Sequence, residues 1–493
     1  MSGLERGNKA LKEENYILKE RISQLERLVF SSRRERFVPD ANPMQASLFG
    51  EAVRIEGKPP GDSSGVSTGT KKRKKSRKGV RRNEFPAHLE RRTTVLDPKV
   101  ADVGNLTRIG EDITELLAYV PASISVRQIV RPRYVDKKDE DKGVVQAAVP
   151  PRIVPKGMVD ESLIAQLIVE KIQFHTPIYR FSKKLRQLGI DFIKENNLHN
   201  WFHRGAESLL PLYHLLQEDI LATRYVQADE SHITVLTKNS LKSSHRGQMW
   251  VFFSPQLKAA LFNYEPRRDI ESANKILSDY SGILQTDGYS AYQSIGQRND
   301  VRLIHCMAHA RRKFFDAKEN EPVLTSYFLG KVRQLYEIEE KARTEKMNPQ
   351  QRLALRTRQA IPILGKLKEW LLDKTADRNI LPKSMIRKAI DYSLRRWEGL
   401  SVYAYDGRLE IDNNLVENTI RPLALGRKNY LFAGSHDAAQ NLAVLYSIIG
   451  TCEKNNINTF KYLEWILREI ANKKVTPQAI QWLPHRVDPT LFQ

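Results

Sequence analysis

Tyr225-Val226-Gln227-Ala228-Asp229 opens the stretch on which the fold turns. Its aromatic and branched residues predict a strand, continuing or re-forming in Ile233-Thr234-Val235-Leu236. Met249-Trp250-Val251-Phe252-Phe253 and Ala259-Ala260-Leu261-Phe262 predict two more, with turn residues between. Gly282-Ile283-Leu284-Gln285-Thr286 predicts a strand ending at Asp287-Gly288-Tyr289, and Val301-Arg302-Leu303-Ile304 one ending at His305-Cys306. Three antiparallel strands followed by shorter strands alternating with helices is the order of a ribonuclease H-like sheet. The expected fold class is multidomain α/β. Its ribonuclease H-like catalytic core occupies 223–317 and 401–493, split by a helical insertion over 318–400, where strand signals are few.

Two carboxylates, Asp229 and Asp287, thus fall at strand ends. A third, Glu417, lies in Leu409-Glu410-Ile411-Asp412-Asn413-Asn414-Leu415-Val416-Glu417-Asn418-Thr419-Ile420-Arg421-Pro422, an Asn-rich stretch predicted to start a short helix ahead of a basic run. Cleaving a phosphodiester needs an activated nucleophile and a means of spreading charge on the leaving oxygen. Two divalent ions about 3.5–4 Å apart do both. Mg²⁺ prefers carboxylate oxygens, and about three acidic residues converging from separate elements would hold it. Each residue also has an ordinary reading. A strand-terminal Asp is often a turn residue, Asp287-Gly288 is a turn signal, and Asn414-Leu415-Val416-Glu417 has the spacing of a capping box. The separations of 58 and 130 residues select nothing by themselves.

Upstream, residues 151–222 read as helical. Leu163, Ile164, Leu167 and Ile168 share one helical face. The stretch from Ile178 to Ile190, with Gly189 as a turn, and Asn196 to Arg204 predict two helices of a helix-turn-helix-like DNA-binding segment; a plain helical hairpin fits the pattern equally well. Before it, 84–150 alternates as a small β-rich module, with Ile124 to Tyr134 expected as a strand carrying a basic face. Over 1–32, Leu4, Leu11, Leu18 and Leu25 recur every seven residues, with Asn8, Asn15, Ile22 and Val29 on the companion seam. That pattern predicts a coiled-coil zipper, with Asn favouring a parallel dimer. Residues 33–83 read as a basic flexible linker, including the run Lys71-Lys72-Arg73-Lys74-Lys75.

The 80 Lys and Arg residues outnumber the 58 Asp and Glu, a net charge of +22 over 493 residues. Such an excess points to a polyanionic partner, with nucleic acid first. Cys306 and Cys452 are the only cysteines, which excludes a disulfide framework and a four-cysteine zinc site. No apolar run reaches the length of a membrane span and no signal-peptide core is expected. The expected setting is the cytoplasm.

Five blocks, in order, closely resemble those of the IS66 (insertion-sequence sixty-six) family of bacterial DDE transposases. They are Val226 to Glu230, Leu284 to Tyr292, His305-Cys306-Met307-Ala308-His309-Ala310-Arg311-Arg312-Lys313-Phe314, Ile411 to Pro422, and Gly426-Arg427-Lys428-Asn429-Tyr430-Leu431-Phe432-Ala433-Gly434-Ser435. The resemblance implies that Asp229, Asp287 and Glu417 are the catalytic and metal-binding triad, holding two Mg²⁺ (or Mn²⁺) ions. It implies DNA partners, namely transposon terminal inverted repeats and target DNA. It also implies a homodimer or higher oligomer through the zipper, small accessory proteins of the same element, and a nucleoid-associated bacterial protein. The family's zinc module is expected near 84–150, but its cysteines are absent here, so zinc is not carried over. Arg427 and Lys428 are expected to contact DNA phosphates, and Arg311, Arg312, Lys183, Lys184 and Arg186 are further DNA-binding candidates. Cys306 and His309 read as a structural pair bracing the core, with metal ligation as the alternative. The rival function is a DNA-binding or regulatory relative that no longer cuts.

Overall fold

The computed structural model describes residues 124–492, apart from 132, 136–143, 147, 156, 238–242 and 474. The expected zipper, the basic linker and most of the β-rich module lie outside the described residues. The strand expected over Ile124–Tyr134 is cut short. Residues 124–131 lie outside any helix or strand, and only Arg133–Val135 (β1) pairs, antiparallel to Val144–Gln146 (β2). Val126 and Val130 are 90% and 81% exposed, so their side of this segment buries nothing that would hold it in a sheet.

Four helices follow: α1 (Glu161–Ile172), α2 (Ile178–Gln187), α3 (Glu195–Ser208) and α4 (Leu210–Leu221). Asp160 caps α1, its Oδ1 accepting from the Ser162 amide at 3.0 Å. Gly189, at φ 81°, ends α2 in the left-handed region that suits glycine. The connection from α2 to α3 spans residues 188–194, longer than the three- or four-residue turn of a helix-turn-helix.

The sheet is built from β3 (Tyr225–Leu236), β4 (Ser244–Ser254), β5 (Ala259–Glu265), β6 (Gly282–Thr286) and β7 (Val301–His305). Its order is β5-β4-β3-β6-β7. The β3–β4 and β4–β5 pairs are antiparallel; β3–β6 and β6–β7 are parallel. Short helices α5 (Ile270–Leu277) and α6 (Ala291–Gly296) link the later strands. The last eight residues of β4, Gly247 to Ser254, are all buried, as befits a strand covered on both faces.

After β7 the chain is helical. It runs through α7 (Met307–Asp316), α8 (Pro322–Thr344), α9 (Pro349–Ala376), α10 (Met385–Arg395), α11 (Trp397–Ser401) and a 3-10 turn at Val402–Tyr405. Then come α12 (Asn414–Tyr430), α13 (His436–Lys454) and α14 (Thr459–Asn472). Two apolar cores result. One joins α1–α4, most of the sheet and α12–α14. The other lies among α7–α11 and reaches the sheet through Tyr225 and Ile304 and the Glu417 stretch through Ile411. Phe314 of α7 stacks on Phe328 of α8 there, ring centroids 3.6 Å apart. The helices α7–α11 therefore have their own core, yet touch the elements that carry the candidate carboxylates.

The β5 edge is closed by side chains. The Phe262 amide donates to Ser447 Oγ at 2.8 Å and the Ala260 amide to Thr451 Oγ1 at 3.0 Å. Tyr213 Oη donates to the Phe262 carbonyl at 2.9 Å. Ser447 and Thr451 are four apart on α13, so their hydroxyls form one row along the strand. No described helix is long and apolar enough to cross a membrane.

Candidate active site

Asp229 lies on the central strand β3, Asp287 follows the end of the adjacent parallel strand β6, and Glu417 occupies the first turn of α12. The parallel β3–β6 pairing sends both strands the same way. The loop 409–413 then delivers α12 beside them through a buried polar lattice. Gln227 Nε2 donates to the Asp412 carbonyl at 3.0 Å and to Gln285 Oε1 at 2.9 Å, and the Val416 amide donates to Gln227 Oε1 at 3.3 Å. Gln285 Nε2 donates to the Glu410 carbonyl at 3.0 Å, and Asn413 Nδ2 to the Ala228 carbonyl at 2.9 Å. Gln227 is two residues before Asp229 and Gln285 two before Asp287, so the same strands that carry the aspartates fix the helix that carries the glutamate.

Asp229 is largely buried. Burial first, then the neighbouring charges of Glu230, Asp287 and Glu417, push its carboxyl up to about 8. Glu417 is also raised, by burial, with Asp412 and Asp287 adding to it and Arg312 and Arg421 opposing. No cationic side chain pairs with Asp229 or Asp287 among the described residues. Asp229 Oδ1 accepts from the Glu230 amide and Asp287 Oδ1 from the Tyr289 amide, each at 2.7 Å. Glu230 is anchored elsewhere, by Arg268 and by Tyr292 Oη at 3.2 Å. A hydrogen-bonded turn holds Asp287: Tyr392 Oη donates to its carbonyl at 2.8 Å, and Gly288 has φ 91°. A Cβ on Gly288 would meet Arg396 Nε at 2.6 Å.

The capping-box reading of 414–417 is corrected. The N-cap is Asn413, without a side-chain cap, and the Glu417 amide donates within the helix to the Asn413 carbonyl at 3.1 Å. Asn413 has spent its amide group on β3, and Asn414 Nδ2 donates to Asp412 Oδ2 at 2.7 Å. The Glu417 carboxylate is left facing the site.

His309 Nδ1 stands 4.0 Å from Glu417 Oε1; it is buried and has no hydrogen-bond partner. With Cys306 Sγ these atoms form a group whose members lie within 4.8 Å of one another, closer than the three carboxylates stand as a set. Cys306 also has a structural contact. Burial raises its thiol well above the usual value, and its sulfur accepts the Asn413 amide at 3.2 Å. That contact braces the loop ahead of α12, and with His309 and Glu417 Cys306 also belongs to a group that could hold a metal ion. The hard, desolvated, mutually repelling oxygens of Asp229, Asp287 and Glu417 do fit a divalent cation.

The basic candidates divide. Arg312 is exposed, and its charge reaches Glu417; Arg311 on the same helix is half-buried. Lys183 is exposed over the Tyr179 ring, and Arg186 Nη2 reaches Ser182 Oγ at 3.5 Å. Lys184 is paired with the buried carboxylate of Glu170. Arg427 is engaged with β3, its Nη1 donating to Ser231 Oγ at 2.8 Å and to the His232 carbonyl at 2.7 Å, while Lys428 is exposed. Sequence reasoning passed over Gln227, Gln285 and Asn413. The available signal was a glutamine set among apolar residues in each of two strands.

Residues 156–441 match the family described as Transposase IS66 family, and residues 17–94 match one described as Transposase C of IS166 homeodomain. The chain belongs to the IS66 transposase family. It is similar to uncharacterized protein y4jD of Sinorhizobium fredii, 30% identical over 94% of this chain and 93% of that protein. It is likewise similar to uncharacterized protein y4qI of the same organism, 31% identical over 91% of this chain and 85% of the relative. Membership carries a transposase role, DNA as partner, and the use of divalent metal in general.

Proposed function

We propose that this chain cuts DNA at transposon ends and joins the resulting 3′-hydroxyl ends to target DNA, with Asp229, Asp287 and Glu417 as its catalytic and metal-binding residues. The sheet order, three antiparallel strands continued by two parallel ones, supports reading the core as ribonuclease H-like. The observation that carries the proposal is the convergence of three carboxylates from β3, the β6 end and α12, each influencing another's protonation, with no cation paired to either aspartate among the described residues.

Two divalent ions bound there would activate the attacking oxygen and stabilise the leaving one. The protein's own part is positional. The Gln227–Gln285 lattice sets the three carboxylates at one end of the sheet. Burial strengthens their pull on a cation. Arg312, next to Glu417, is placed to hold a DNA phosphate. Pairing of two transposon ends is assigned to an N-terminal zipper, and further DNA contact to α2 and α3.

The test is Mg²⁺-dependent nicking and strand transfer on DNA bearing the element's terminal repeats. Asp229→Asn, Asp287→Asn and Glu417→Gln each abolish cutting while leaving end binding intact. Cutting at the parental rate by these variants overturns the assignment. End binding without cutting by the parent in any divalent metal favours a silent DNA-binding relative.

A further inference from the structure

The fifth block, Gly426 to Ser435, is only partly used by the catalytic reading. Arg427 braces β3, yet Asn429 to Ser435 line a cavity of about 560 Å³ shared with α1, α2, α3 and α13. That size lies within the range of roughly 300–1,000 Å³ typical of small-molecule sites. Its walls are mainly apolar and aromatic, including Tyr179, Phe202, Tyr430 and Phe432. Its floor carries charge without a counter-charge. Lys171 Nζ lies 4.3 Å from the Phe202 ring centroid and 5.8 Å from that of Tyr430, and no carboxylate pairs with it among the described residues. Burial pushes that ammonium down to about 8. His199 and His203 stand on the same wall, with Glu195 3.6 Å from His199 as the acidic group present.

The rim is held in a costly shape. Leu431 has φ 67°, unusual for a branched residue, in a γ-turn closed by the Phe432 amide on the Tyr430 carbonyl at 2.8 Å. Ala433 is clipped to β3, donating to Thr234 and accepting from Leu236 at 2.8 and 2.9 Å. The outcome is that Phe432 stays 44% exposed beside the cavity rather than folding into the core. Glu417 and Tyr430 lie on the same helix, 13 residues apart, about 20 Å along its axis. That equals roughly six base steps of duplex DNA.

We propose that this cavity receives one unstacked nucleotide of the bound DNA strand, its base against Phe432 and Tyr179 and its phosphate on Lys171. The proposal rests on the reading that DNA reaches Glu417. Aromatic faces accept any base, and a cation lacking a partner matches a phosphate. A duplex that gives up a base pair there is held in register relative to the carboxylates.

The experiment uses the full chain carrying Asp229→Asn, without divalent metal, so the outcome is independent of cutting. Fluorescence anisotropy compares a labelled duplex interrupted by a few unpaired thymidines with the same duplex fully paired. The interrupted duplex binds about tenfold more tightly, the effect of one stacked base. Phe432→Ala and Lys171→Met each remove that preference and leave affinity for the paired duplex unchanged, and Lys171→Arg retains it. Phe432 is exposed enough that its truncation spares the fold, should Lys171→Met unfold. Equal binding of both duplexes by the parent, or an unchanged preference in Phe432→Ala, overturns the proposal. So does equal weakening on paired DNA. Competition by free thymidine monophosphate as effective as that of the interrupted duplex would assign the cavity to a free nucleotide instead.

Discussion

Gln227 and Asp412 are joined across 185 residues of sequence, the carboxamide of the strand donating to the carbonyl of the loop at 3.0 Å. The same side chain accepts the Val416 amide, so a single glutamine fixes both the approach to α12 and its first turn. Gln227→Leu leaves the Asp412 carbonyl and the Val416 amide buried without partners, each costing about 1–3 kcal/mol. We expect a folded variant with a lower urea midpoint. Its Mg²⁺ requirement for nicking rises at least severalfold, because Glu417 is no longer held opposite Asp229. A metal titration of nicking rates distinguishes this from simple destabilisation, which leaves the Mg²⁺ midpoint of the folded fraction unchanged.

Asp229 predicts a pH slope. Burial and the adjacent acids raise its folded value to about 8, whereas an unfolded aspartate titrates near about 3.9. The folded chain holds this proton more tightly than the unfolded one. This group's contribution to stability is therefore complete below about pH 4 and is lost as pH rises to about 8. In the absence of metal, urea midpoints fall over that window, and Asp229→Asn flattens the slope. Mg²⁺ opposes the fall in the parent, since ion binding requires the deprotonated carboxylate.

Arg356 predicts a defect in the insertion. Its guanidinium is fully buried, pairing with Glu339 at 2.7 Å and donating to the carbonyls of Tyr403, Asp406 and Leu409 at 2.7, 2.8 and 2.9 Å. Arg356→Met strands the buried Glu339 charge against Arg352 alone and frees the chain leading to Glu417. A loss of about 3–5 kcal/mol is expected, read as an early urea transition. Adding Glu339→Gln recovers much of it.

Arg427 and Lys428, adjacent in sequence, are expected to behave differently. Arg427→Ala removes the brace from α12 to Ser231 and His232, and lowers the melting temperature with little change in the salt dependence of DNA binding. Lys428→Ala leaves melting unchanged and reduces the slope of log K against log salt by about 1, the signature of one lost phosphate contact.

The sheet was legible because its strands are short apolar runs bounded by turn residues. Gly282–Thr286 reads correctly to the residue and Asp287 follows its end, but Asp229 lies within β3 rather than at its end, because the strand runs on unbroken through pairing with β4 to Leu236. That a helix starts close to Asn414 was legible too. Its cap was not, because the candidate groups were taken by distant partners: Asn413 by β3 and Asp412 by Tyr336 at 2.8 Å. Periodicity knows nothing of such pairings. Nor does local sequence show that Arg427 turns inward and Lys428 outward, since that depends on where β3 lies. The pocket around Lys171 draws on five helices and the 431–435 turn, and no single window contains it.

The hydroxyl row of Ser447 and Thr451 along β5 also bears on assembly. An edge strand with free amides invites a second chain to add to the sheet. Here the Ala260 and Phe262 amides are already taken by a helix of the same chain, and Tyr213 takes the Phe262 carbonyl. Two copies meeting on one DNA therefore cannot fuse their sheets along β5. Contact between them falls to side chains and to other segments, which lets copies crowd onto DNA without that edge seeding aggregation.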